Sequence, residues 1–251
     1  MRMNQVTIVC CYNNEKVYND FVSTLKAQTY GYDLIGIDNR GNKRFTSCAA
    51  TYNSVIDDVK TKYVIYSHQD ILLQDKNSLA EFVSYLGRIG RDDILGSAGV
   101  KFNEVGVITN MMSVDELTGE IVQAGTGRLE DSMIECDTID ECFFGGYTEH
   151  FRTNPFNESL CNNWHFYAAE ACLNTKRNNN HVYICDSRLV HLSFGNESLS
   201  FHYGFYRLCR HYAEYFPVIS TTFITSRTDF IHCFPLFVYR YLRCILRKIL
   251  L

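Results

Sequence analysis

Three polar clusters each close a short apolar run early in the chain: Tyr12-Asn13-Asn14, Asp38-Asn39-Arg40 and His68-Gln69-Asp70. The last has residue types and spacing suited to cation chemistry. An acid closing a buried strand, with a second polar ligand at i−2, holds a hard divalent cation such as Mg²⁺ or Mn²⁺. Such a cation neutralises a phosphate leaving group. Farther along, residues 162–170 gather Trp164, the single tryptophan, with Phe166 and Tyr167. These rings offer flat faces for stacking, and Glu170 stands nearby as a general base. His191 follows the apolar pair Leu189-Val190 and is a candidate ligand to a metal or phosphate. Each feature also has a plainer reading. A strand-end acid can cap a helix, helix aromatics can be core, and a lone histidine can be structural.

The elements that must position these residues follow from apolar spacing. Residues 5–12, 32–38 and 62–67 are short β-rich runs. Between them, Val17, Phe21, Val22 and Leu25 in 15–28, and Ala49, Tyr52, Val55, Ile56 and Val59 in 48–59, have helical spacing. Strand and helix alternating in this way predict an α/β fold with a mostly parallel central sheet flanked by helices. Ligands bind such sheets beyond the carboxyl ends of the strands, so all three polar clusters fall on one rim. Farther on, strands are expected at 93–100, 106–111, 137–144 (ended by Gly145-Gly146), 182–185 and 189–192, with a helix over 162–176. The expected division is one domain over 1–200, in two halves that meet at about 100. A helical, basic-aromatic extension follows over 201–251.

Composition narrows the class. The chain has 251 residues, 46% hydrophobic and 21% charged, with 3 Pro and 15 Gly, so it is neither fibrous nor disordered. A formal charge of −4 argues against nucleic acid as a partner. The eleven cysteines are odd in number and contain no C-x-x-C, and the start MRMNQVTIVCCYNNE lacks a secretory pattern. Reduced thiols in a cytoplasmic chain are the expectation. No zinc spacing, P-loop or G-x-S-x-G occurs. In the tail, Arg240, Arg243, Arg247 and Lys248 recur at helical spacing among Val238, Leu242, Ile245, Leu246, Ile249 and Leu250. Residues 236–251 therefore read as an in-plane amphipathic helix on an anionic membrane, peripheral on its inner face. The alternative is a helix docked on the protein's own core.

In their order, these motifs resemble the family-2-like glycosyltransferases with the GT-A fold, over about residues 5–200. They are closest to the subgroup first described through a streptomycin-biosynthesis protein. The matching features are Tyr12-Asn13, Ile37-Asp38, Ala49-x-x-x-Asn53, His68-Gln69-Asp70, Asp140-Glu141-Cys142-Phe143-Phe144, Trp164-His165-Phe166-Tyr167-Ala168-Ala169-Glu170 and Val190-His191-Leu192-Ser193-Phe194-Gly195. The resemblance implies transfer of a sugar from a nucleotide-diphosphate donor to a polysaccharide or lipid-linked acceptor, with inversion and metal assistance. It implies nucleotide contacts from Tyr12, Asn13, Asp38, Asn53 and His68. Asp70 and His191 would hold Mn²⁺ or Mg²⁺, Glu170 would be the base, and Asp140, Glu141, Trp164 and His165 would shape the acceptor side. The chain departs from the wider family at His68, which replaces the first acid of D-x-D, and at Ala169, which removes the usual E-D pair. A non-catalytic sugar- or nucleotide-binding protein on the same fold is the reading from a different class.

Overall fold

A computed structural model describes residues 4–115, 117–127, 129, 132–193 and 197–250, the last three without their side chains. Of the motif residues named above, Phe194, Gly195 and the side chains of Lys248, Ile249 and Leu250 lie outside the described residues. In chain order the first elements are β1 (Val6–Tyr12), α1 (Glu15–Lys26), β2 (Asp33–Asp38), α2 (Cys48–Asn53), β3 (Tyr63–Ser67), β4 (Ile71–Leu73), α3 (Ser78–Leu86), β5 (Ile94–Gly96) and β6 (Ala98–Val100). The irregular middle holds β7 (Ile108–Thr109), β8 (Met112–Val114), β9 (Ile121–Gln123), β10 (Met133–Glu135) and β11 (Thr138–Ile139). Then follow β12 (Phe143–Tyr147), α4 (Thr148–Thr153), α5 (Tyr167–Arg177), β13 (Val182–Cys185), β14 (Leu189–His191), α6 (Leu199–His211), β15 (Val218–Ser220), β16 (Thr225–Arg227) and α7 (Phe230–Leu250).

The central sheet has seven strands in the order β10-β13-β5-β12-β3-β1-β2. Strands β2, β1, β3, β5 and β13 run one way; β12 and β10 run against them. Period-two alternation divides the core between two faces. Ile8, Cys10 and Ile65 face one cluster with Phe21 and Leu25 of α1. Val9, Val64 and Tyr66 face the other, with Tyr52 of α2 and Tyr167 and Cys172 of α5. Phe21 and Leu25 are fully buried, worth about 1.5–3 kcal/mol each. Helix α1 starts where Asn14 caps it, its side chain accepting from the amides of Lys16 and Val17 at 3.1 and 3.3 Å.

Several elements differ from their sequence expectation, each for a local reason. The helix expected over 48–59 stops at Asn53 and is followed by a 3₁₀ turn, Ile56–Asp58. The strand expected over 93–100 breaks at Ser97, whose amide and hydroxyl both donate to the Phe143 carbonyl as the chain passes from β5 to β6 in another sheet. Gly145 and Gly146 do not end a strand. They lie inside β12, where a side chain on Gly145 would run into the Val64 carbonyl and one on Gly146 would come within 2.9 Å of the Asp93 carbonyl. The helix expected from 162 begins at Tyr167, because Phe166 is left-handed (φ 66°) and Asn163 Oδ1 accepts from the His165 amide at 2.8 Å in a turn.

The division expected at residue 200 is not visible in the packing. Phe201, Phe205, Leu208, Tyr212, Ile219 and Ile224 share one core cluster with Val9 and Tyr66. Helix α7 lies along α6, with Cys233 and Cys244 buried and Phe237 stacked on Tyr206 at 5.0 Å. Arg240 turns toward Glu197 at 3.5 Å, so the basic side of this helix is partly engaged with the protein itself. Its outer side exposes Ile231, Tyr239, Leu242 and Leu246. None of the described helices is long and apolar enough to cross a membrane. All eleven cysteines are free thiols.

Candidate active site

Three strands end at one level. Tyr12 stands opposite Asp38, and Cys10 opposite Ser67, at the carboxyl ends of β1, β2 and β3. Beyond β3, Gln69 clasps the end of β1: its Oε1 accepts from the Asn13 and Asn14 amides at 3.1 and 3.0 Å, and its Nε2 donates to Asn13 Oδ1 at 2.7 Å. That fastening leaves the residues on either side of Gln69, His68 and Asp70, to gather with His191. Strand β4 starts immediately after Asp70 and pairs antiparallel with β14, placing His191 opposite Ile71. The Leu192 amide donates to the Asp70 carbonyl at 3.0 Å and locks this register. As a result Asp70 Oδ1 lies 3.5 Å from His191 Nε2 and 4.0 Å from His68 Nδ1. One ligand atom from each of the three residues falls within 4.8 Å of the others.

The hydrogen bonds around this trio suit a cation. Tyr167 Oη donates its single proton to the Glu141 carbonyl at 3.2 Å, so it accepts from His68 Nε2 at 3.1 Å. The His68 proton is therefore on Nε2, and the lone pair of Nδ1 faces the Asp70 carboxylate. The lone pair of His68 Nδ1 meets a carboxylate that already accepts from His191, and a cation among the three would take the lone pair and replace that bond. Burial holds His68 below its usual pKa, favouring the neutral ligand form, although Asp70 pulls the other way. For Asp70, burial pushes upward, but the hydrogen bond from His191 and the nearby imidazoles outweigh it and hold the carboxyl well below its usual range. Two imidazoles and one carboxylate form a mixed donor set that suits Mn²⁺ better than Mg²⁺. His68 was expected at the nucleotide; its geometry makes it the third candidate ligand.

A cavity of about 260 Å³ opens beside the two histidines of this trio, His68 and His191. Its polar lining includes Asp140, Glu141, Thr222 and Glu197; its apolar lining includes Trp164, Phe166, Phe201 and Phe223. Asp140 follows β11 and is oriented by two bonds, accepting from the Cys142 amide at 3.0 Å and from Thr222 Oγ1 at 2.8 Å. Glu141 lies at the start of α5, where the amides of Phe166, Tyr167 and Ala168 favour its charged form, and its Oε1 is buried without a partner among the described residues. Burial first, and then the charge of Asp140, push its carboxyl well up, toward the protonated form. His165 also borders the cavity; burial, with His68 nearby, pushes its pKa down to about 4.

The expected site residues thus separate into groups. Asp70, His191, His68, Asp140, Glu141, Trp164 and His165 come together around the trio and the cavity. Tyr12, Asn13 and Asp38 share the adjoining rim, where Tyr12 stacks on Tyr18 at 4.0 Å and Arg40 grips both oxygens of Asp38. Asn53 is not brought to the site. Its amide fastens the 156–158 segment, bonding the Phe156 backbone in both directions and Glu158. Glu170 also departs from expectation. It is buried, points away from the cavity and accepts from Tyr212 Oη at 2.8 Å, while its neighbour Ala169 lines the cavity. Burial pushes its carboxyl upward. Tyr167, expected to offer a stacking face, is instead buried and serves through its hydroxyl at His68; Thr222 and Phe223 were not foreseen as site residues. For Thr222 and Phe223 no local pattern signals the role, because only the fold carries their hairpin to Asp140.

Comparison with known proteins agrees with this architecture. A sequence profile described as "Glycosyltransferase like family" matches residues 7–207. None of the curated proteins matches the chain. Among solved structures, GalNAc-T7 with UDP, GalNAc and Mn²⁺ superposes with a TM-score of 0.57 at 12% identity, covering 76% of this chain and 44% of that one. TarS of S. aureus in complex with UDP-GlcNAc gives 0.55 at 13% identity, covering 82% and 66%. The mannosyltransferase PcManGT of Pyrobaculum calidifontis, with GDP-Man and Mn²⁺, gives 0.53 at 11% identity, covering 83% and 62%. The chain spans 44% to 66% of the length of these solved chains. At such identities the likeness establishes the fold.

Proposed function

The chain belongs to the glycosyltransferase-like family, and from that premise we propose that it moves a sugar from a nucleoside-diphosphate donor to a hydroxyl of a glycan or lipid-linked acceptor, with inversion. The observation that carries this reading is the His68–Asp70–His191 trio at the strand ends, with Asp140 beside it on the cavity wall. Tyr12, Asn13 and Asp38 are placed to receive the nucleotide. The Arg40–Asp38 pair stands partly exposed at the rim, where water screens it, so a base edge can replace the guanidinium. His68 Nδ1, Asp70 and His191 would hold a divalent cation, and when bound it supplies positive charge against the departing diphosphate.

The residues of the chain account for the rest. The acceptor oxygen bonds to the anomeric carbon on the side opposite the diphosphate. The carbon–oxygen bond to phosphate breaks with its electron pair on the diphosphate, and the hydroxyl proton passes to a carboxylate. Glu170 is turned away, and Glu141 is biased toward holding its own proton. Asp140 therefore takes the role of base, oriented by Thr222 and the Cys142 amide. Thermal denaturation with UDP and GDP, with and without Mn²⁺, tests the donor side. A chain that no nucleoside diphosphate stabilises is not this enzyme.

The same proposal places the chain on the cytoplasmic face of an anionic membrane through residues 236–251. In support, α7 exposes Leu242 and Leu246 together with Arg243 and Arg247, an apolar stripe flanked by charge. Glycosyl transfer to a lipid-linked acceptor benefits from that placement.

A further inference from the structure

The far wall of the cavity comes from a part of the chain that the family match, ending at 207, does not reach. Strands β15 and β16 pair as a hairpin, and its tip closes on itself: the Thr221 amide donates to the Ile224 carbonyl at 2.9 Å, and Thr221 Oγ1 accepts from the Ile224 amide at 3.1 Å. Two further bonds lash this hairpin to the strand that carries the acid pair. Thr138 Oγ1 donates to the Ser220 carbonyl at 2.6 Å, and Thr222 Oγ1 donates to Asp140 at 2.8 Å. The tip is thereby held, yet it leaves Phe223 49% exposed at the cavity, edge-on to Phe201 at 5.9 Å. The exposed ring thus stands on a tethered turn and faces a cavity that Trp164 also lines.

We infer that the hairpin tip, residues 221–223, is the acceptor-recognising wall, and that it takes an uncharged pyranose ring. This deepens the transferase reading and rests on it. A pyranose has an apolar C–H face and a polar edge, and the cavity offers the complement: aromatic surface from Phe223 and Trp164, and carboxylate acceptors from Asp140 and Glu197 for hydroxyl donors. The volume, about 260 Å³, lies just below the roughly 300–1,000 Å³ usual for small-molecule sites, so it holds a ring and not an extended chain. The acids also set a limit. Asp140 and Glu197, without a lysine or arginine among the described lining residues, disfavour an acceptor ring that carries a carboxylate or phosphate.

Trp164 is the only tryptophan and lines the cavity, so fluorescence excited selectively at tryptophan, apart from the tyrosines, reports on this site. The experiment titrates wild type, Phe223→Ala and Phe223→Tyr with methyl pyranosides of glucose, galactose, mannose and N-acetylglucosamine, and with methyl glucuronide. Each titration is run with and without UDP or GDP plus Mn²⁺. At least one neutral pyranoside is expected to give a saturable change. Phe223→Ala should raise its half-saturation about tenfold, Phe223→Tyr should restore it, and the glucuronide should not bind. Equal titration of wild type and Phe223→Ala, equal binding of the glucuronide, or no response to any pyranoside in either condition overturns the inference. Nucleotide binding is measured separately by thermal shift. Stabilisation by nucleotide with an unaffected Phe223→Ala defeats the hairpin assignment alone. A saturable sugar response without nucleotide binding defeats the transferase reading instead.

Discussion

Asp70 Oδ1 lies 3.5 Å from Nε2 of His191, although the two belong to opposite halves of the chain. The contact depends on a three-residue strand, β4, that pairs with β14 directly after Asp70. If this trio holds a cation for a diphosphate, Mn²⁺ should add several degrees to the thermal stabilisation given by UDP or GDP. Ligand at 100 times its Kd contributes about 2.7 kcal/mol, and each kcal/mol moves Tm by about 2–4 °C at this size. Asp70→Asn should lose the Mn²⁺ increment and keep any metal-free nucleotide effect. An equal increment in both proteins removes the trio from the metal site.

Asp140→Asn should lower turnover by about 10²–10⁴-fold while nucleotide affinity stays near normal, the signature of a lost general base. Glu170→Gln should leave turnover within a few-fold of wild type, since its carboxyl bonds Tyr212 and not the cavity. Turnover assays of both variants decide the assignment, and the opposite ranking would return the role to Glu170.

Burial raises the Glu170 carboxyl in the folded protein. An unfolded glutamate titrates near 4.3, so between about 4.3 and the higher folded value the native state binds more protons than the unfolded one. Stability contributed by this group is complete below that window and is lost as pH rises through it. Glu170→Gln should therefore show a shallower loss of stability with rising pH than wild type, measured by urea denaturation across pH 4–8. Identical slopes would mean that the carboxyl is not shifted.

Leu242 and Leu246 are more than half exposed on α7, whereas Cys233 and Cys244 anchor its inner side. Replacing both leucines with serine should abolish flotation with vesicles rich in anionic lipid and leave the Tm nearly unchanged. Arg243→Gln with Arg247→Gln should make the remaining attachment insensitive to lipid charge and salt. Deleting 236–251 is the less informative test, because Phe237 and Cys244 pack on the body. If the serine variant floats like wild type, the stripe does not face lipid.

The strands and the first helix within the first seventy residues were readable because they follow period, whereas β4 and α3 beyond them were not anticipated. Ile8, Val9 and Cys10 alternate across a sheet, Phe21 and Leu25 repeat along a helix, and strand direction alone sets Tyr12, Asp38 and Asp70 on one rim. What was not readable depends on contacts between distant segments. Glu170 stands at helical spacing from Phe166, which suggests a shared face. The left-handed turn at Phe166 and the buried Tyr212 hydroxyl instead orient it away from the cavity. Asn53 matches a nucleotide-contacting pattern, but its amide meets Phe156 and Glu158, far along the chain. Thr222 and Phe223 form no motif and reach the site only because β15 and β16 fold back to it.

The glycine pair in β12 gives the position of the acids an unexpected origin. A strand is normally held in place by what its side chains attract, but here the seat is defined by what it refuses: even a methyl group at 145 collides with a neighbouring backbone. With two bare residues wedged between β3 and β5, sliding by one position would bring a phenylalanine or a tyrosine into a gap that admits only hydrogen. Asp140 and Glu141 lie a few residues upstream on the same rail, so their placement against the histidines is indexed by exclusion. Drift in the surrounding sequence can change how well this sheet is glued, yet it cannot easily shift the ruler from which the chemistry is measured.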